Sequence, residues 1–436
     1  MTTVPSTARA AEPEPDSSHG SPLRGNRDFV LLWIGAAATA LGARVSGIAY
    51  PLLVIWTTGS ASSAGLVGFA ALLPNLLVQM HAGALVDRFD RRRLMIFCDL
   101  GALLATGAVA AAVLAGHVWI WLLMAAAFVQ GSLAIFYRLA ERAGVRHLVP
   151  SGQLAQALSA NEARTQAAGL LGQPGGSVLY ALSRSAPFLL ATVAHAVSLV
   201  SLLLIRKKFQ EERTQQPGNI TAELREGLGW TWRQRFLRSG MLLISGSNLL
   251  FQVLSLALIV IIKEDGGSAG VVGVITAVSG LGGLFGALTG SWWMRRISLR
   301  GLLIGGAVGW ALLMPLVGLT ADPILLGLIF LGAAMIGSVT NVAGGIYQVT
   351  VTPDRLQGRV GAAMGLIATG ASSLGTVAGG FALESFGSGT TVFAAAAAMG
   401  LIALLSFLLP AAPLPEQADR EAPADDTTPH PVPDEK

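Results

Sequence analysis

The segment Ser63-Ala64-Gly65-Leu66-Val67-Gly68 returns about 205 residues later as Ser268-Ala269-Gly270-Val271-Val272-Gly273. Each copy opens a long apolar run that ends in a basic turn. The first ends at Gly83-Ala84-Leu85-Val86-Asp87-Arg88 and the second at Gly290-Ser291-Trp292-Trp293-Met294-Arg295-Arg296. Self-similarity at nearly half the chain length means a duplicated half, not a short-period solenoid. Any fold for this chain must therefore accommodate two related bodies.

Composition fixes the solvent of those bodies. Of the 436 residues, 53% are hydrophobic and 12% charged, roughly half the charged fraction of a soluble domain. The mean hydropathy is +0.61. The long polar stretches are the ends, 1–26 and 411–436, and the middle near 207–235. Both tails contain too little apolar surface to offset ordering entropy and are expected to be disordered. No charged stretch followed by a short apolar core and a cleavage site precedes the first span, so a cleaved leader is not expected. The single cysteine, Cys98, excludes an intrachain disulfide and reads as a small apolar filler.

A spanning helix needs about 20 mostly apolar residues. Twelve such runs are expected, at 29–56, 64–86, 94–115, 118–139, 154–180, 187–205, 241–262, 269–293, 301–319, 323–348, 359–383 and 391–409. The expected fold is thus an all-α membrane protein of twelve transmembrane helices in two pseudo-symmetric six-helix halves. The halves are 27–205 and 241–410, and the loop 206–240 joins them. Duplicated membrane halves with a site at their interface are an architecture of transporters.

The turns alternate in charge. Arg184 and Lys263 fall in odd-numbered turns, and Arg44 and Arg164 fall inside spans. The other Lys and Arg residues lie in the tails, in the even-numbered turns or, as with Arg138 and Arg359, at the span ends beside those turns. The positive-inside rule then places both termini and the central loop in the cytoplasm. The basic pI of 9.6 is thereby explained without nucleic acid, which would require basic and aromatic residues clustered on one face. Within the central loop, Leu224 to Phe236 reads as an interfacial amphipathic helix carrying Trp230 and Trp232. Arginine exceeds lysine by 25 to 4. With abundant alanine and glycine, this suggests a GC-rich bacterium and hence the plasma (inner) membrane.

The stretch Gly83-Ala84-Leu85-Val86-Asp87-Arg88-Phe89-Asp90-Arg91-Arg92-Arg93 resembles the loop between helices two and three of the major facilitator superfamily. Further likeness, to the drug:proton antiporter branch that includes macrolide and siderophore exporters, lies in three segments. These are Asn26-Arg27-Asp28-Phe29-Val30-Leu31-Leu32-Trp33, Leu148-Val149-Pro150 and Thr352-Pro353-Asp354-Arg355-Leu356-Gln357-Gly358-Arg359-Val360. The resemblance covers about residues 26–410. It implies a secondary active exporter of an amphipathic small molecule, working by proton antiport, as a monomer and without a cofactor. It also implies a gating loop of Gly83, Asp87, Arg88, Arg91 and Arg92 that meets helix eleven near Gln357-Gly358-Arg359. Two features depart from that branch. Ala127 stands where an arginine often precedes Gln130-Gly131, and the helix-five pattern reads Gly172-Gln173-Pro174-Gly175-Gly176.

Ionisable groups at bilayer depth are functional candidates, because burying them is costly. Arg44 lies about 22 Å into span one at about 1.5 Å per residue. Glu162 heads a stripe with Gln166, Gly169, Gln173, Gly176 and Tyr180 on span five. A desolvated carboxylate there could carry a proton, so Glu162, tuned by Arg44, is the first proton-coupling candidate and Asp99 the second. Asp99 is also expected to pair with the loop arginines, and Glu141 with Arg138 or Arg142. In the superfamily, spans one, four, seven and ten line the cavity, which makes Gln130, Tyr137, Asn248, Gln252 and Asn341 substrate-side candidates. Hydrogen bonding between helices is the competing role for each. The glycine rows Gly282/Gly286/Gly290 and Gly375/Gly379 suit either the seam between moving halves or static packing.

Other chemistry is missing. No lysine stands in a phosphate-loop context. No His-Glu-x-x-His or Cys-x-x-Cys pattern supports a metal, and Gly266-Gly267-Ser268-Ala269-Gly270 is a chance match to a hydrolase pattern. An enzyme is not expected. An importer or facilitator of the same fold stays open, since no residue encodes direction. So does a non-transporting receptor or assembly factor.

Overall fold

The computed structural model describes residues 23–207, 209 and 220–410. The expected tails therefore lie almost entirely outside the described residues, as does part of the central loop. Among the described residues there are helices and no strands. The first half contains α1 (Arg27–Thr58), α2 (Ala61–Leu77), α3 (Gln79–Arg88), α4 (Arg91–Leu114), α5 (Ile120–Leu148), α6 (Leu154–Leu182) and α7 (Ala186–Leu204). After α8 (Ile220–Arg233) come α9 (Arg235–Glu264), α10 (Ala269–Arg296), α11 (Leu299–Val317), α12 (Pro323–Val351) and α13 (Gln357–Ser406).

Among the described residues, nine helices are long and apolar enough to cross a membrane. The differences from the twelve expected spans have physical causes. The second span breaks into α2 and α3 at Val78, four residues after Pro74. α6 is long enough but too polar, with Glu162, Arg164, Gln166 and Gln173 along it. The last two spans form one 50-residue helix interrupted at Gly387, whose φ of 78° is a left-handed turn that suits glycine. The helices' outer faces expose large apolar side chains such as Phe97, Leu104, Leu171 and Leu288, a surface suited to lipid and not to water.

The repeated motif has one structural job in both copies. On α2, a Cβ at Gly65 would stand 2.7 Å from the Thr376 carbonyl of α13. On α10, one at Gly273 would stand 3.0 Å from the Pro174 carbonyl of α6. Each copy thus brings its helix against the opposite half. The other glycine rows do not. Gly282, Gly286 and Gly290 face Leu331, Met335 and Val342 on α12, and Gly375 and Gly379 face Leu249 and Val253 on α9. Of the two roles open to them, the structure assigns static packing within the second half.

Three of the quoted segments also have local explanations. Asn26 caps α1 by accepting from the Phe29 N–H at 3.2 Å, and its Nδ2 donates to the Leu148 carbonyl at 2.8 Å. The start of α1 is thereby tied to the end of α5. Pro150 and Pro353 each precede a single 3-10 turn leading into α6 and α13.

Candidate functional site

A cavity of about 550 Å³ lies between the two halves, walled by α1, α2, α6, α9, α10, α12 and α13. Arg44 is the one charged side chain among its described lining residues. Gly172 of α6 sits on the stem of Arg44, where a Cβ would clash with the arginine's own Cβ. Gly47 and Gly169 leave open space nearby, with nothing described within 4 Å of where a Cβ would stand. Arg44 therefore projects into the cavity from a crowded helix contact. Among the described residues it has no hydrogen-bond or ion-pair partner. Gln173 and Gln252 supply neutral polar groups to the wall, and Gln252 Nε2 donates to Thr376 Oγ1 at 3.3 Å.

The cavity is sealed toward the end bearing the odd-numbered turns. There Lys263 Nζ donates to the Ile55 carbonyl, and the Ser62 N–H donates to Glu384 Oε2 at 3.1 Å. Gly65 and Gly380 bring α2 and α13 into backbone contact just below. At the opposite end no such seam is found among the described residues. Gly83 and Gly358 face nothing within 4 Å. Arg359 pairs with Glu226 of α8, and Gly227 lies against the Arg359 backbone.

Arg91 donates to the Phe209 carbonyl at 3.2 Å, and Arg92 donates to the carbonyls of Leu202 and Leu203, both at 2.9 Å. These carbonyls end α7 or follow it, where helix termini leave acceptors unpaired. Arg88 is exposed, and the side chain of Asp87 lies outside the described residues.

The remaining candidates separate into distinct environments. Gln130 is buried and exchanges hydrogen bonds with Ser46, at 2.9 and 3.1 Å, and reaches Tyr50 at 3.4 Å. It joins α5 to α1 and is not on the described cavity wall. Tyr137 is buried beside Ser198 of α7, with 3.0 Å between the hydroxyls. Asn248 is half-buried and lines neither described cavity. Asn341 lines a separate space of about 300 Å³ within the second half, with Phe236, Tyr347 and Gln348. Glu162 is exposed and accepts from Gln166 Nε2 at 2.9 Å.

Asp99 and Glu141 make other partnerships than those expected. Glu141 pairs with Arg164 of α6 at 2.7 Å, both side chains buried. Asp99 is 1% exposed and bonded to none of the loop arginines. Its Oδ1 accepts from Thr39 Oγ1 at 2.8 Å and faces His195 Nδ1 at 3.1 Å, while its Oδ2 accepts from Ser198 Oγ at 2.5 Å. The reason is geometric. Residue 99 lies two helical turns from residue 91, about 12 Å along the axis. His195 was missed in the sequence although it is an ionisable group inside span six, the criterion that singled out Arg44.

The comparisons agree with this architecture. The family model described as transmembrane secretion effector matches residues 17–435. The multidrug efflux pump Tap of Mycolicibacterium fortuitum is 26% identical over 395 residues, covering 88% of this chain and 96% of that protein. The macrolide efflux protein A of Streptococcus pyogenes is 22% identical over 202 residues, covering 46% of this chain and 50% of that one. Among solved structures, the nucleoside transporter NupG superposes with a TM-score of 0.69 at 13% identity, covering 88% of this chain and 98% of that one; at that identity the likeness is one of fold. The repeat, the membrane helices, the shared cavity and the near full-length match converge: the chain belongs to the transmembrane secretion effectors of the major facilitator superfamily.

Proposed function

We propose that this protein exports an amphipathic small molecule from the cytoplasm by proton antiport with alternating access. The twelve expected spans form two six-helix halves that rock about the central cavity. The protein acts as a monomer in the plasma membrane, with both termini cytoplasmic. The sealed end of the cavity is then the outer one, and the present conformation is the one that loads from inside. The observation that carries this reading is the single unpaired cation, Arg44, on the wall of a mostly apolar cavity built by both halves. An apolar cavity with a few fixed polar groups suits a bulky, partly apolar ligand. Arg44 supplies a fixed donor for an acceptor or anionic group on that ligand. The similarity to multidrug and macrolide efflux proteins supports the same class of substrate.

In the outward-facing state the Gly83–Arg93 loop closes the cytoplasmic side. Among the described residues nothing lies within 4 Å of where a Cβ at Gly83 would stand, which leaves room for the approach of α13.

The test uses inside-out membrane vesicles and a labelled macrolide. Acidifying the lumen should drive uptake by the wild type. Arg44→Ala should raise KM about tenfold, the loss of one charge-assisted hydrogen bond of about 1.5 kcal/mol, and Arg44→Lys should recover part of it. Uptake by right-side-out cells instead would make the protein an importer. Arg44→Ala at wild-type KM would remove Arg44 from the binding surface.

A further inference from the structure

We infer that the Asp99–His195 pair is the proton-carrying site of this transporter and that the proton loads at His195 Nε2; this rests on the antiport reading above.

The pair lies where four helices meet. Asp99 belongs to α4 and His195 to α7. Thr39 reaches the same carboxylate from α1, and Tyr137 of α5 joins through Ser198. Both side chains are at most 2% exposed. A carboxylate can only accept, so His195 Nδ1 carries the hydrogen it gives to Asp99. The lone pair that can take a further proton is then on Nε2. That atom is buried and has no hydrogen-bond partner among the described residues. Uptake converts a neutral imidazole and a carboxylate into an imidazolium–carboxylate pair. The site passes from one negative charge to none, and release reverses the change. A net charge buried at this depth is costly, so the loaded and empty states favour different packing around it.

The packing can transmit that difference to the cavity. Gly35 and Gly42 let α1 lie directly on α7, with Cβ positions 3.1 Å from Ser198 Oγ and from Ala194 Cβ. α1 also carries Arg44, five residues beyond Thr39. A shift of α7 against α1 would therefore reach the substrate wall through close-packed backbone.

Glu141 and Glu162, on α5 and α6, are less suited. Glu141 is held by Arg164, a guanidinium that keeps its charge at every relevant pH. Glu162 is exposed and bound to a neutral amide. The titratable groups nearest the pair are Cys98 beside it on α4 and Tyr137 on α5, with Glu141 farther along α5. On α1 the nearest is Arg44, which faces Arg138.

Two measurements on the full-length chain test this. In lipid nanodiscs, imidazole-15N-labelled protein carries six histidines, and the ring signal assigned to His195 by its loss in His195→Gln should change protonation state with pH. The pH response of that signal should differ in Asp99→Asn. A His195 ring that stays in one protonation state throughout overturns the proposal. In proteoliposomes, Asp99→Asn and His195→Gln should lose at least about tenfold of the pH-driven accumulation of a labelled macrolide. Counterflow at equal pH should stay within about twofold, which shows that the variants fold and bind. Glu162→Gln should keep both activities. If Asp99→Asn keeps pH-driven accumulation while Glu162→Gln loses it, the assignment is wrong and antiport stands. If the wild type performs counterflow but never responds to a pH difference, antiport itself is contradicted.

Discussion

Between α1 and α7 the buried contacts include Asp99 with His195, Glu141 with Arg164 and Gln130 with Ser46. Between α9 and α13 the corresponding contacts are glycine against backbone, as at Gly282 with Leu331 and Gly375 with Leu249. Among the described residues, every buried Asp, Glu, Arg or His side chain lies in the first half, whereas α9 to α13 bury only Ser and Thr as polar side chains. A duplication begins with equal halves, so the difference marks a division of labour. Among the described residues, one half buries charged side chains and the other buries only neutral ones. The repeated Ser-Ala-Gly segment is what the halves still share, since Gly65 and Gly273 each make the crossing contact.

The division can be broken most severely at the Glu141–Arg164 pair. Arg164→Ala should cost about 3–5 kcal/mol by leaving a buried carboxylate uncompensated. A double replacement by Leu and Met at these positions should restore most of it. Thermal unfolding of the purified protein checks both. Equal losses in the single and double variants would mean the pair is not what holds α5 to α6.

A smaller effect separates static from moving glycines. Gly282→Ala drives a Cβ into the Leu331 backbone and should cost about 1–3 kcal/mol in any conformation. Gly65→Ala presses on Thr376 only while the seam is closed. It should lower the transport rate with less loss of melting temperature than Gly282→Ala. Matching losses in melting temperature would erase the distinction between seam and body.

The smallest effect is expected at Gln252. Gln252→Ala removes one hydrogen bond to Thr376, worth about 0.6 kcal/mol between membrane helices. Stability should barely change, whereas substrate KM should rise because Gln252 also lines the cavity. An unchanged KM would restrict Gln252 to helix packing.

Much of the architecture was legible in the chain because length and hydropathy determine spanning helices directly. Nine of the described helices are long and apolar enough to span, and Arg44 was found because depth along a helix follows from residue count alone. What stayed hidden depends on rotation about the helix axis. Asp99 seemed close to Arg91 and Arg92, yet Arg91 reaches the Phe209 carbonyl, Arg92 the carbonyls at the end of α7, and Asp99 turns to His195. Gln130 and Tyr137 share a face, but that face meets α1 and α7 and not the cavity. A polar residue in a membrane helix is visible from sequence; the neighbour that satisfies it is set by packing.

The claim on which the account depends is that the seam between α2 and α13 opens and closes with each transport cycle. Cys98 is the only cysteine and is buried, so a cysteine pair at Ser62 and Glu384 can be cross-linked selectively. Ser62→Cys with Glu384→Cys, oxidised to a disulfide in proteoliposomes, should stop macrolide transport, and reduction should restore it. Transport at the full rate with the seam covalently closed would contradict alternating access through this end of the molecule.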